Sequence, residues 1–329
     1  MAAVAVAALL AAACGGDDAR RQFPTATSTV SGSPTASAVT TVTDPVTELR
    51  VAYINLQQPV SLDATDTSPA DTRDARLAIV VDELLAFGPD IVVVSEASIG
   101  KDWSVISTLI RELKMEYSFF QANPWLPGQT EREAGELGTQ TGFKEGEAIL
   151  TSHRYAVLKS EVHQVNPRTS EVENRSVGHV VLKGPAEAGE IDVYVTHLTG
   201  GTDATRAEQA ADIRAWIEGT RGNGTVIVLG DLSEVAGSAT HTTFVDGGLV
   251  DTGSAVAGPP SEGTCCREAI IGEQAPLAQT TAFIFTNGLQ PISLTTFATT
   301  PVKQVDGTML YASDQNGLQA VFALSPVGE

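Results

Sequence analysis

From Leu49 onward, short apolar runs alternate with stretches whose apolar residues recur at helical spacing. That alternation belongs to an α/β protein, in which strands build sheets and the intervening helices cover them. Leu49–Leu56 forms a strand with polar Asn55 near its end. Thr72–Phe87 places Ala75, Leu77, Ile79, Val80, Leu84 and Leu85 at helical positions, and Gly88-Pro89 stops it. Ile91–Val94 is a buried strand running into Ser95-Glu96. Trp103–Leu113 makes a second helix, and Ala148–Leu150 and Val177–Leu182 make further strands. Ile191–His197 alternates, then breaks at Gly200-Gly201. Thr205–Glu208 fits a capping box opening a helix to about Glu218. Thr225–Leu229 is a strand ending in Gly230-Asp231, and Ala282–Thr286 and Leu318–Leu324 are the last strands. No Pro/Gly-rich break or internal repeat divides this region, so residues 47–326 read as one domain. The polar stretch Gly128–Glu147 reads as a surface loop near the strand ends, placed to shape a pocket.

The N-terminal part has a different texture. Ala2–Ala13 contains only Ala, Val and Leu, and Cys14-Gly15-Gly16 follows. A short apolar segment ending in small residues is a secretory signal rather than a membrane span. Leu10-Ala11-Ala12-Ala13-Cys14 resembles a bacterial lipobox, which implies residues 1–13 as signal peptide and Cys14 as the lipidated first residue. No Lys or Arg precedes the apolar run, which departs from such signals; a buried N-terminal helix is the alternative. Pro24–Val46 holds eleven Ser/Thr and three Pro in 23 residues, with Asp44 as its one charge. Such a segment buries too little apolar surface to offset its ordering entropy, and residues 14–46 therefore read as a tether. The expectation is an extracytoplasmic lipoprotein that meets the membrane through its anchor alone.

Charge narrows the partners. The chain has 20 Lys+Arg against 40 Asp+Glu, a formal charge of −20. A sequence-blind nucleic-acid binder needs a positive surface to neutralise phosphates, so that class is excluded and duplex nucleic acid is disfavoured as a partner. A small phosphoester held through a metal ion remains compatible. Asn55, Glu96, His197, Asp231 and Asp314 each lie at or beside the end of an apolar strand. Alone, each fits a turn or cap. Together, strand-end carboxylates suit a hard cation such as Mg²⁺, Mn²⁺ or Ca²⁺.

Taken in order, Val51–Leu56, Pro89–Glu96, Gly146–Leu150, Tyr194–Leu198, Val228–Ser233 and Ser313–Gln315 resemble the successive motifs of the endonuclease/exonuclease/phosphatase superfamily. They span 265 residues, from Val51 to Gln315. The resemblance implies a DNase I-like α/β/β/α sandwich of two mixed sheets and divalent-metal-dependent phosphoester hydrolysis. It implies Glu96, Asn55 and Asp314 as the metal site and His197 as a hydrogen-bond donor to a phosphate oxygen. It implies Asp231 as the group that positions or deprotonates water. Arg175 is a candidate phosphate contact or a solvated surface residue. A small phosphoester or phospholipid headgroup is the expected ligand.

Several positions depart from the family pattern. Ser233 stands where the family has Asn, offering one donor in place of two. Gln315 stands where it has His, and an amide carries no proton at neutral pH. Ala282 replaces the late-strand Asp, Glu147 replaces an Asn and Ser95 a Gln. Of the remaining histidines, His153 and His163 flank a strand and His179 lies within one, which leaves His241 as the candidate substitute base. Thr264-Cys265-Cys266 resembles an element of one bacterial branch; adjacent cysteines close only a strained ring, so two small buried thiols are expected. Two readings follow: a phosphoester hydrolase with an altered base and weakened activity, or a catalytically silent, lipid-anchored binding module. A surface pocket that binds a phosphorylated or sugar ligand without chemistry is a third.

Overall fold

The computed structural model describes residues 47–57, 72–123, 143–167, 174–185, 188–258 and 260–324. The signal segment, Cys14, the tether and residues 128–142 of the expected loop lie outside the described residues. The strands are β1 (Glu48–Asn55), β2 (Ile91–Gly100), β3 (Glu116–Ala122), β4 (Phe143–Thr151), β5 (Ala156–Gln164), β6 (Ser176–Lys183), β7 (Glu190–His197), β8 (Thr225–Asp231), β9 (Val250–Asp251), β10 (Ala282–Asn287), β11 (Gln290–Phe297), β12 (Val302–Lys303), β13 (Met309–Leu310) and β14 (Gly317–Ala323). The described helices are α1 (Arg73–Phe87), α2 (Val105–Leu113), α3 (Asp203–Thr220), α4 (Ala239–Asp246) and the single turn α5 (Thr252–Ala255).

Two six-stranded sheets run β11-β14-β1-β2-β4-β3 and β5-β6-β7-β8-β10-β9. Each is antiparallel except for one central parallel pair, β1/β2 and β7/β8. These pairs are βαβ units whose crossovers contain α1 and α3, because parallel neighbours need a long connection. The period-2 alternation of the strands builds the layers. Leu49, Val51, Tyr53, Ile91 and Val93 meet Val193, Val195, Ile227, Leu229 and Ile284 between the sheets. The intervening Ala52, Ile54, Val92 and Val94 face Leu77, Val80 and Leu84 of α1 and Leu109 of α2. On the other side, Tyr194, Val226, Val228 and Phe285 face Ala210, Ile213 and Ile217 of α3 and Phe244 of α4. The result is the α/β/β/α sandwich. Among the described residues no helix is long and apolar enough to cross a membrane.

Local signals act largely as read. Gly88 ends α1 in the left-handed region at φ 67° and donates to the Leu84 carbonyl at 2.9 Å. A side chain there is strained, which is why glycine occupies the position. Three expectations are corrected. The cap of α3 is Thr202, whose hydroxyl accepts from the Thr205 amide, so the helix starts three residues before the expected box. Phe143–Glu147 is not loop but the first half of β4, whose Glu145 and Glu147 point inward and give the strand a loop-like polarity. Cys265 and Cys266 are joined in a vicinal disulfide, with Cys265 half-buried and Cys266 exposed. Their segment hydrogen-bonds to residues 314 and 316, with Thr264 and Arg267 buried on either side of the pair.

Candidate active site

Glu96 sits on a bulge. The β2/β4 register passes from Val94↔Ala148 to Ala97↔Gly146, so Ser95 and Glu96 together face Glu147. Glu96 takes the left-handed conformation at φ 54°, which re-aims its side chain at the strand end. Asn55 Nδ2 donates to Glu96 Oε1 at 3.0 Å, and Asn55 Oδ1 accepts from the Gln57 amide at 2.9 Å. The chain after Asn55 is held by buried Arg76 of α1, which donates to the carbonyls of Leu56 at 3.1 Å and Gln57 at 3.2 Å.

On the second sheet, His197 and Asp231 end the parallel pair and are register partners. Gly230 permits this closeness, since a Cβ there would collide with the Thr196 carbonyl oxygen on the neighbouring strand. The buried Asp231 carboxylate is held at both oxygens. Oδ1 accepts from the Ser233 amide at 2.8 Å, and Oδ2 accepts from Gln315 Nε2 at 2.6 Å. Ser233 is itself left-handed at φ 51°, and its hydroxyl donates to the Leu198 carbonyl at 3.4 Å. His197 Nε2 lies 3.9 Å from Asp231 Oδ2. Burial, reinforced by the Arg175 guanidinium, pushes His197 down to about 3, and Asp231 only partly opposes this. The imidazole is therefore neutral across the physiological range, with one N–H to donate. Ala282 is the β10 residue opposite Asp231 and brings no polar group.

Beneath the two strand ends lies a buried chain of hydrogen bonds. Tyr53 donates from its hydroxyl to Ser95 Oγ at 2.9 Å, Ser95 donates to Glu147 Oε2 at 2.6 Å, and Asn123 Nδ2 donates to Glu147 Oε1 at 3.2 Å. Burial pushes Glu147 up to about 7, against the opposing pull of Ser95 and Arg175. The Ser95 and Glu147 departures from the family pattern are thus each other's partners. Asp314, half-buried, accepts from the Ser313 hydroxyl at 3.0 Å, and burial together with the nearby Asp231 charge pushes it up to about 6. Burial leads the shifts of Tyr53, Glu147, His197 and Asp314, and the Asp231 charge adds a smaller contribution to each.

The sequence-selected residues fall into two linked groups, Asn55 with Glu96 and Asp231 with His197, Ser233 and Gln315. Arg175 is buried rather than solvated, with Nη1 4.0 Å from Glu145 Oε1. Next to it, Asn174 is 3 % exposed and neither side-chain amide atom has a hydrogen-bond partner among the described residues. Among the described residues no three His, Cys, Asp or Glu side chains stand close enough to hold a metal as a ready-made cluster. The donor chemistry nevertheless fits a hard divalent cation: Glu96 and Asp314 supply carboxylate oxygens, and Asp314 is raised chiefly by burial and secondarily by the Asp231 charge, a cost of ionisation that a cation would offset. His241 is not a substitute base. It projects from α4 onto Phe283 and Phe285, with Nε2 3.3 Å from Asp251 Oδ2, on the helix-facing side of the sheet. Tyr53, Asn123, Glu145 and Asn174 were not selected from sequence. The i, i+2 spacing of Glu145 and Glu147 was the usable signal, since it puts two carboxylates on one strand face.

Fold and site together define a DNase I-like sandwich with Asn55 and Glu96 at the end of one parallel strand pair and His197 and Asp231 at the end of the other. Solved structures of this fold match the chain closely in shape and weakly in sequence. An endonuclease/exonuclease/phosphatase family protein from Bacteroides thetaiotaomicron superposes with a TM-score of 0.66 at 14 % identity, covering 85 % of this chain and 98 % of that one. A mannosyl-6-phosphatase of the same organism gives 0.62 at 15 % identity, over 83 % and 98 % of the two chains. The human Nocturnin catalytic domain gives 0.59 at 18 % identity, over 85 % and 94 %. No protein-family model matches the sequence, and no curated protein does.

Proposed function

We propose that this chain is a divalent-cation-dependent phosphoester hydrolase of the endonuclease/exonuclease/phosphatase type, working outside the cytoplasm on a lipid anchor and slowed by the absence of a histidine base. The observation that carries this reading is the juxtaposition at Asp231: one carboxylate coupled to His197, Glu147 and Asp314 and hydrogen-bonded to Gln315 and the Ser233 amide. In this reading Glu96 and Asp314 hold Mg²⁺, or Mn²⁺ or Ca²⁺, with Asn55 fixing the Glu96 carboxylate. The cation, when bound, polarises a phosphoryl oxygen and activates water. Arg175 and the neutral His197 N–H bind phosphoryl oxygens as charge builds, and Asp231 orients the incoming water. Loss of the base lowers turnover by roughly 10²–10⁴-fold. The formal charge of −20 favours a small phosphoester or a phospholipid headgroup over duplex nucleic acid. The mannosyl-6-phosphatase that shares the fold adds sugar phosphomonoesters to the substrates worth testing.

A second reading, a silent lipid-anchored module that binds a phosphoester without cleaving it, is favoured by one contact. Gln315 Nε2 occupies Asp231 Oδ2 at 2.6 Å, and opposite stands Ala282 rather than a carboxylate. The two readings separate in one assay. The full chain carrying Cys14→Ser is given phosphomonoesters and phosphodiesters with each cation, beside its Glu96→Ala variant. Chelator-reversible product release that Glu96→Ala abolishes supports the hydrolase. Release no greater than in Glu96→Ala supports the silent module.

A further inference from the structure

The vicinal disulfide stands in the middle of a segment that grips the Asp314–Gln315 loop. On one side of it, the Thr264 carbonyl accepts from the Asn316 amide at 2.9 Å, and the Gly263 carbonyl accepts from Asn316 Nδ2 at 2.8 Å. On the other side, the Arg267 amide donates to the Asp314 carbonyl at 2.7 Å. The Arg267 side chain is buried, lies 4.1 Å over the Tyr311 ring, and donates to the Ser313 carbonyl at 3.2 Å and to Asn316 Oδ1. The same segment is tied to the strand facing Asp231, because Thr264 Oγ1 accepts from the amides of Thr281 at 3.0 Å and Ala282 at 3.1 Å. It therefore joins the two parts that must stay in register for Gln315 to reach Asp231. We propose that residues 263–267 are a positioning clamp for the Asp314–Gln315 loop, and that its closure depends on the Cys265–Cys266 disulfide, so that a dithiol reductant loosens the site. The importance of the loop to catalysis rests on the function proposed above; the clamp itself does not.

The physical reason is register. Two hydrogen bonds to the loop, at Thr264 and Arg267, flank the cysteine pair. A closed ring fixes the torsions between them, so both bonds form together. Opening it returns backbone freedom to two residues, which opposes forming both at once. Cys266 is the exposed residue of the pair, and attack is directed at its sulfur. A dithiol thiolate attacks it and the Cys265 sulfur leaves as thiolate; the dithiol's second sulfur then displaces Cys266. The S–S bond breaks, two cysteine thiols form after protonation, and the dithiol is oxidised to its own disulfide. Cys14 is the only other cysteine of the chain and is removed by Cys14→Ser.

The test uses the full chain with Cys14→Ser, before and after dithiothreitol. Iodoacetamide is expected to label no cysteine beforehand and two afterwards. Amide hydrogen exchange at Arg267 and Asn316 is expected to quicken about tenfold on reduction, while β7 and β8 stay unchanged. Arg267→Lys keeps the charge but lacks the fork, and is expected to quicken exchange over 313–316 even when oxidised. Two labelled cysteines without reductant, or equal exchange in both states, overturns the proposal. Mn²⁺ titration of both states is expected to show about tenfold weaker binding after reduction, since the loop carries Asp314. Equal affinity overturns the positioning role. If neither state binds Mn²⁺, the proposed function fails, and the exchange result still decides the clamp.

Discussion

Glu147→Gln should make the protein more stable at alkaline pH, although it removes a charge from a hydrogen-bonded group. Glu147 is 1 % exposed and shifted from an ordinary 4.5 to about 7, chiefly by burial. Its folded-state value lies above its unfolded one, so between these values the folded chain holds the proton that the unfolded chain has released. Stability therefore falls as pH rises through this window, by about 3 kcal/mol in total at 1.36 kcal/mol per unit. Glutamine never ionises and avoids the loss. Its oxygen still accepts from Asn123 Nδ2, while on the other side its amide nitrogen donates to Ser95 Oγ, reversing the bond in which Ser95 donates to Glu147 Oε2. Urea unfolding in chelator is measured at pH 5 and pH 8.5 for both proteins, with the slope checked for constancy. The variant should gain about 2–3 kcal/mol over the native chain at pH 8.5 and under about 1 kcal/mol at pH 5. A difference independent of pH, or a variant less stable at pH 8.5, would refute the assignment of Glu147 as a buried carboxyl that resists ionisation.

Three other outcomes follow from the same geometry. Mn²⁺ at a hundred times its dissociation constant should raise native stability by about 2.7 kcal/mol in thermal unfolding, and Glu96→Gln or Asp314→Asn should remove most of that gain. Gln315→His alone should not restore fast turnover, because Ala282 offers no carboxylate to orient the ring. Joined with Ala282→Asp it should raise kcat by about 10²-fold or more, and a comparable gain from the single change would contradict the assignment. Gly230→Ala should lower the urea midpoint by an equivalent of about 1–3 kcal/mol, because its Cβ pushes β7 from β8. It should also lower kcat, since His197 and Asp231 end those strands.

The fold was legible because the two central βαβ units announce themselves: apolar runs at Val51, Ile91, Ile191 and Val226, with helical periodicity between the members of each pair. The strands outside these units were harder to read. β5 is a sheet edge whose side chains are mostly exposed, so it lacks the apolar run that marks β2. β11 also lies at an edge and shifts register between Pro291 and Ser293. The first half of β4 was hidden because a strand lining a polar site must itself be polar. Candidate residues at strand ends could be named from position. What position could not give was pairing: that Ser95 answers Glu147, that Gln315 turns its amide to Asp231, and that Arg267 holds the loop from across the fold. Those partners are 52, 84 and 46 residues apart, and only the closed sandwich brings them together.

The decisive measurement is turnover of a phosphomonoester by the native site in ¹⁸O-labelled water with Mg²⁺, with Glu96→Ala run in parallel. A hydrolase that directs water at phosphorus through Glu96, Asp231 and Asp314 releases phosphate carrying one labelled oxygen, and Glu96→Ala releases none above background. Unlabelled product, or equal release from both proteins, would contradict phosphoester hydrolysis at this cluster.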